Sequence, residues 1–475
     1  MTSEQDVNPT VRGIRTPVNL QALAERITEQ ISQGEQKPFE RVYDVSSGDP
    51  HRVGMPPLTF IRQVLAACLY PDLLKDDSLP VDVRQRARTL LDVCEGGSVG
   101  SYSLTYSGIP LIQKTIAEFI TRRDGGVESK PENIIFSSGL ERALSLVLHL
   151  LSGGEGQTRT GVLTPVPCPH TLPMQLDEAH LEQVSYQLLE EQGWALDLAE
   201  LHRALRTTRG RCETRAIYIS NPGNPTGHVQ DRKTIEEVIR FAASESLVLL
   251  VEEVFQDSVL GQEKRFVSYR KVLLEMGEPY SKRVELVSLH SLCTAGMGEC
   301  GLRGGYMEVI NMDPAVREFI NILPCSGSPP ILPQLALGVM ASPPSPGDSS
   351  YETFMQEVLH VERTLSHNAR RACEFLNGLP RMSCVPAEAG IFLYPRLDLP
   401  LGITEQAQML GVEPDVLFCQ RFLEEEGVCV GPGCENGQDD DNFHIRICVL
   451  APPAALEEVL TRLRSFHLRL LSSCC

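Results

Sequence analysis

From about residue 111 the chain alternates between two periodicities. LIQKTIAEFITRR (111–123) repeats its apolar positions at helical spacing, and NIIFSS (133–138) is a short apolar run that stops at Gly139. ERALSLVLHLL (141–151) reads as helix again, and TGVLTPVP (160–167) as strand. The alternation continues through LDLAELHRALR (196–206), RAIYIS (215–220), DRKTIEEVIRFAASES (231–246), LVLLVEEVF (247–255) and VELVSLHSL (284–292). Continuous β-branched runs between amphipathic helices mark strands buried on both faces, so the pattern predicts a parallel α/β sheet. In such sheets ligands sit beyond the carboxyl ends of the strands.

The alternation stops at SPPSPGDSS (342–350), a linker-like stretch. Beyond it the spacing predicts a long helix over about 351–377, short strands and helices, and an amphipathic helix over 453–470, together a smaller α+β unit. The first 90 residues lack the alternation and are expected to pack beside that unit. The expected division is therefore 1–90 for an N-terminal arm and part of the small domain, 91–345 for the large α/β domain, and 346–475 for the small C-terminal domain.

The 475 residues carry 62 acidic and 43 basic side chains, a net −19, which argues against a surface for nucleic acid or anionic membrane. No run of about 18 uninterrupted apolar residues occurs, so no membrane span is expected. MTSEQDVNPTVRG at the start is polar, carries Glu4 and Asp6, and has no apolar stretch; the cytosol is the expected compartment. Fifteen cysteines, an odd number without a CxxC pair, point to buried reduced thiols rather than disulfides or zinc. The tandem Cys474-Cys475 is expected to be a frayed tail rather than a lipid carrier.

Four motifs fall at strand ends. NPGNPTG (221–227) is a rigid turn able to hold the Asn224 amide beyond a strand. Glu252 and Glu253 end the next strand and must point to opposite faces, so only one faces a site there. GMGECGLRGGY (296–306) places Arg303 in a flexible loop, a combination suited to phosphate. FHIRICVL (443–450) puts Arg446 in an apolar strand, where a charge needs a partner; a protein carboxylate or a substrate carboxylate would serve.

Together these motifs resemble the class I pyridoxal-phosphate (PLP) aminotransferases, and among them the alanine aminotransferases. RRDGG (122–126), TGVLTPVP, WALDLAELHRAL (194–205), NPGNPTG, the loop ending in MGECGLRGGY, and FHIR run in that family's order over nearly the whole chain. The resemblance implies the fold type I PLP-dependent transferase architecture, a dimer with sites at the subunit interface, and amino transfer between L-alanine and 2-oxoglutarate. It also implies that Asn224 bonds the cofactor's ring hydroxyl, and that Arg303 and Ser291 hold its phosphate. Ser138 and Gly139 would open the helix whose amides cradle that phosphate. Tyr102 would reach the phosphate of the partner subunit, Gly48 would lie beside the substrate, and Arg446 would take its α-carboxylate.

The same resemblance shows where the pattern breaks. The lysine that holds PLP as an imine and carries the reaction's proton is replaced by Thr294, and Lys282 is the last lysine of the chain. The acid that pairs with the pyridinium nitrogen is Glu252, one methylene longer than the family's aspartate. The tyrosine three residues on is Phe255, and the aromatic that stacks on the ring is Pro169, with His170 next to it. The small and hydroxyl residues of the phosphate loop are Leu140 and Glu141, with Arg142 adjacent to neutralise the acid. Five changes around one ligand imply a degenerate or repurposed aminotransferase, with PLP held non-covalently if at all. Three readings follow: a non-catalytic protein that binds an amino or keto acid or forms a homodimer or a heterodimer with an active relative; an active transaminase using His290 or Cys293 to move the proton; or a structural protein without PLP.

Overall fold

The computed structural model describes residues 7–473 apart from 16–17, 104, 155, 262–263, 295, 324–327 and 439–441, and the Cys474-Cys475 tail lies outside the described residues. Tyr43–Asp44 forms β1, which pairs in parallel with Val428–Cys429 near the other end of the chain. The central sheet holds β2 (Ile134–Ser137), β3 (Thr160–Val166), β4 (Glu182–Leu189), β5 (Ala195–Leu196), β6 (Glu213–Ser220), β7 (Val248–Glu252), β8 (Leu286–Ser291) and β9 (Gly305–Ile310). Its order is β2-β9-β8-β7-β6-β3-β4-β5. Pairs β4–β3, β3–β6, β6–β7 and β7–β8 are parallel, whereas β9 runs against both its neighbours and β5 against β4. The strand order reverses between β3 and β6, which makes their carboxyl ends a switch point.

The apolar runs are buried on both faces, as the sequence pattern predicts. Along β6, Ile217 and Ile219 meet helices Leu198–Thr208 and Arg232–Glu245, while Ala216 and Tyr218 meet helix Leu140–Leu151 on the other side. The result is a three-layer α/β/α sandwich. Each fully buried Leu or Ile contributes about 1.5–3 kcal/mol relative to exposure. Helix Arg232–Glu245 is fixed at its start by Asp231, whose Oδ1 accepts from the Thr234 amide at 2.8 Å.

The smaller unit packs helices Tyr351–Asn377, Leu401–Leu410, Pro414–Glu426 and Pro453–Ser473 against short antiparallel strands centred on Phe443–Cys448. The first ninety residues divide between two cores. Helix Leu20–Ser32 turns Leu20, Ala24 and Ile27, one face by spacing, into the core around Phe418 and Phe422. Helices Thr59–Leu69 and Val81–Asp92 instead pack against Pro110–Arg123 and Ile331–Ala341 of the large unit. The units meet where the Gly227 carbonyl accepts from the amides of Glu388 and Ala389 at 2.9 and 2.8 Å.

The twelve described cysteines are free thiols, nine of them buried. Among the described residues no helix is long and apolar enough to cross a membrane. The RRDGG motif is part of a buried ion network: Arg270 Nη1 lies 3.0 Å from Asp124 and its Nε 2.9 Å from Glu308.

Candidate functional site

The carboxyl ends of β2, β3, β6, β7 and β8 surround a cavity of about 170 Å³ at the seam with the smaller unit. The large unit supplies Leu140, Glu141, Pro169, His170, Asn224, Glu252, Phe255, Ser291, Cys293, Cys300 and Arg303. Ile391, Phe392 and Arg446 come from the smaller unit, and Ser47 and Gly48 from the loop after β1. Three larger hollows, of about 430, 720 and 590 Å³, do not collect these strand ends; the first touches the cavity's wall through His170.

Glu252 and Glu253 point to opposite faces of β7, as strand geometry requires. Glu253 is tied away from the cavity by the Tyr269 amide at 2.9 Å and the Ser288 hydroxyl at 2.7 Å. Glu252 faces the cavity, accepting from the Tyr218 hydroxyl and, at 3.4 Å, from Asn224 Nδ2. Burial pushes its pKa up to about 7, against the lowering effect of those two hydrogen bonds.

Helix Leu140–Leu151 begins after Gly139, whose φ of +96° favours glycine, and no side chain caps it. The open first turn is met by Glu141 and by Arg303, which reaches across from the loop before β9. Arg303 Nη2 donates to Glu141 Oε2 at 2.5 Å, with the side chains 49% and 38% exposed. Arg303, not the adjacent Arg142, therefore balances the Glu141 carboxylate, because its loop folds back over the helix end. Ser291 is buried, and its Oγ accepts from the Cys293 amide at 3.2 Å.

Thr294 is only 2% exposed and does not line the cavity. Its Oγ1 accepts from the Met297 amide at 3.0 Å, and the hydroxyl also hydrogen-bonds Asp257. It acts as a local turn-forming hydroxyl. His290 is likewise outside the cavity: its ring packs edge-on to Tyr306 at 5.5 Å, and burial, reinforced by Arg123, depresses its pKa to about 3.

On the opposite wall, a Cβ on Gly48 would meet Phe392 Cζ at 2.6 Å, and the residue's φ is +72°. Arg446 is 2% exposed; its Nε and Nη2 donate to the Ser46 carbonyl at 3.2 and 2.9 Å. Its Nη1 lies 2.8 Å from His170 Nδ1, and the guanidinium stands 5.2 Å from the centre of the Phe392 ring. Burial, then the Arg446 charge, lowers the His170 pKa to about 3, so the neutral ring accepts through Nδ1. Among the described residues no carboxylate forms an ion pair with Arg446, whose own pKa is lowered by burial.

The sequence pattern of the family described as aminotransferase class I and II matches residues 68–463. The chain belongs to that family. It is 43% identical to alanine aminotransferase 2 of Xenopus tropicalis over 98% of this chain and 89% of that one. It is 44% identical to alanine aminotransferase 1 of Homo sapiens over 97% of this chain and 93% of that one. Among solved structures, an alanine aminotransferase from Pyrococcus furiosus superposes with a TM-score of 0.74 at 20% identity, covering 98% of this chain and 100% of that one. That likeness shows the fold, the fold type I aminotransferase architecture with its mostly parallel sheet.

In this member of the family, Gly48, Leu140, Pro169, Asn224, Glu252, Phe255, Ser291, Arg303 and Arg446 come together around one cavity. Ser138, Gly139, Thr294 and Tyr102 do not line it; Ser138 is exposed, and Tyr102 is 88% exposed. Tyr218, His170 and Phe392 were not assigned a part by sequence reasoning. Tyr218 had a legible signal, since it shares a face with Ser220 at the end of β6. The contacts of His170 and Phe392 with Arg446 join distant segments and leave no local pattern.

Proposed function

We propose that this chain is an alanine aminotransferase-like protein in which amino transfer between L-alanine and 2-oxoglutarate is lost or strongly impaired. Thr294 carries the reading. A hydroxyl forms no imine and is a poor base near neutral pH. Losing general acid–base help alone costs about 10²–10⁴ in rate, roughly 3–5 kcal/mol. The engagement of that hydroxyl by Met297 and Asp257, outside the cavity, supports the reading.

The residues present do not fit PLP as the family holds it. Arg303 is engaged by Glu141 at 2.5 Å, where the phosphate would need it. Asn224 Nδ2 is directed to Glu252, and Phe255 brings no hydroxyl to the cavity. With no lysine after residue 282, the family's proton transfer has no carrier at its usual place.

A second reading is favoured by Arg446. A buried guanidinium with neutral partners is well placed to take an acid from solution. This supports a non-catalytic role in which an amino or keto acid binds there. The exposed Tyr102 supports a partner subunit, either a second copy or an active relative.

The test is a PLP titration followed by absorbance, for wild type and Thr294→Lys, with alanine–2-oxoglutarate turnover measured in parallel. The expected wild-type result is no imine-type band and no turnover above a protein-free control. An imine-type band with turnover in wild type would overturn the proposal. Saturable binding with an aldehyde-type spectrum would retain the cofactor site and remove only the chemistry.

A further inference from the structure

Two thiols that line the cavity have no part in the function proposed above. Cys293 and Cys300 sit on the loop between β8 and β9, and both are partly exposed. The backbone brings them together. The Glu299 amide donates to the Leu292 carbonyl at 3.2 Å, and each cysteine is the residue that follows one member of this bonded pair. The loop is further tied by Leu292 N to Gly304 O at 3.0 Å and Gly298 N to Thr294 O at 2.9 Å. Across this neck the two thiols hydrogen-bond one another.

Their environments differ. The bond from Cys300, with help from Ser291 and the Arg303 charge, holds Cys293 below the ordinary thiol range, against burial and Glu141. Cys300 is pushed up by that same bond and by burial. An attacking thiolate beside a second, resolving thiol is the arrangement that oxidises reversibly rather than over-oxidising. Cys373 and Cys384 form another hydrogen-bonded pair, but they are only 7% and 5% exposed in the core of the smaller unit. They are a pair without access.

We propose that Cys293 and Cys300 form a dithiol site for a hydroperoxide, closing to a disulfide in the cavity wall. The Cys293 thiolate attacks a peroxide oxygen; the S–O bond forms, the O–O bond breaks, and the leaving oxygen takes a proton. The Cys300 thiol then attacks the Cys293 sulfur; the S–S bond forms, the S–O bond breaks, and the Cys300 proton passes to the departing hydroxide, which leaves as water. The two sulfurs lose two electrons together, and hydrogen peroxide is reduced to two waters. The disulfide would lock the loop that carries Arg303, so ligand access to the cavity would follow oxidation state. This inference is independent of whether the chain transaminates.

The experiment treats the full-length protein with hydrogen peroxide at one equivalent, alkylates the remaining thiols, and maps the peptides by mass. The expected result is loss of two alkylatable thiols per chain, a Cys293–Cys300 linked peptide lacking two hydrogens, and full reversal by dithiothreitol. Cys300→Ser should instead accumulate sulfenic acid at Cys293, trapped by dimedone. Recovery of both residues singly alkylated while other cysteines oxidise would overturn the proposal, as would a linkage of either one to a third cysteine. Because the wild-type map needs no variant, a misfolded substitution does not protect the idea.

Discussion

Replacing Glu252 with glutamine removes a carboxylate that burial forces to titrate near neutrality. The folded value is about 7 against an ordinary 4.5, and the residue is 3% exposed. Between those two values the folded chain keeps a proton that the unfolded chain has released. Stability from this group is therefore complete below pH 4.5, falls as pH rises, and is gone above about 7. At 1.36 kcal/mol per unit, the shift amounts to about 3 kcal/mol between the two ends. Glutamine keeps an oxygen for the Tyr218 hydroxyl and cannot ionise. Glu252→Gln should match wild type near pH 4.5 and exceed its stability by up to about 3 kcal/mol at pH 8. Trp194, the single tryptophan, is 2% exposed and packs against Tyr394 and His444, so its fluorescence reports urea unfolding directly. Glu253 and Asp415 are raised in the same sense, while His170, His228 and His290 are depressed and favour the fold as pH rises. All of these remain in the variant and cancel in the difference between the two proteins. A difference that stays flat from about pH 5 to 8 would refute the reasoning.

Glu141→Ala frees Arg303 and the uncapped helix end. Inorganic phosphate should bind about tenfold more tightly by calorimetry, the low end for one charge-assisted hydrogen bond at a half-exposed pair, with little change in stability. Arg270→Met leaves Glu308 without its buried cation and Asp124 with Arg123 alone, and should cost about 3 kcal/mol in urea unfolding, the low end for breaking a buried pair. Pyruvate or 2-oxoglutarate should raise the wild-type melting temperature and leave Arg446→Gln unmoved; equal shifts in both would place the acid elsewhere.

Much of the larger unit was legible because its strands are apolar on both faces and its helices are not. Runs such as RAIYIS and LVLLVEEVF need no distant information to be read, and helix Tyr351–Asn377 falls where its spacing put it. The placement of the first ninety residues was harder, because an amphipathic helix shows which face it buries but not against what. Helix Leu20–Ser32 finds Phe418, whereas helix Thr59–Leu69 finds Tyr306 and Leu335. At the site, residue types at strand ends were informative and pairings were not. Glu141 and Arg303 are 162 residues apart, and nothing near Glu141 chooses Arg303 over Arg142. The substitution at 294 was readable, but its direction away from the cavity depends on Met297 and Asp257 closing around it.

The parallel pairing of Tyr43–Asp44 with Val428–Cys429 also sets a timetable for synthesis. The Ser46 carbonyl waits for the guanidinium of Arg446, 400 residues later. A ribosome moving at about 5–20 residues per second needs roughly 20–80 s to deliver it. The sheet of the larger unit can assemble as it emerges, while helix Leu20–Ser32 holds an apolar face with no partner yet made. A nascent chain halted before Pro414–Glu426 would therefore be bare at its oldest end, and lesions near the carboxyl terminus should register first as chaperone capture of the amino terminus.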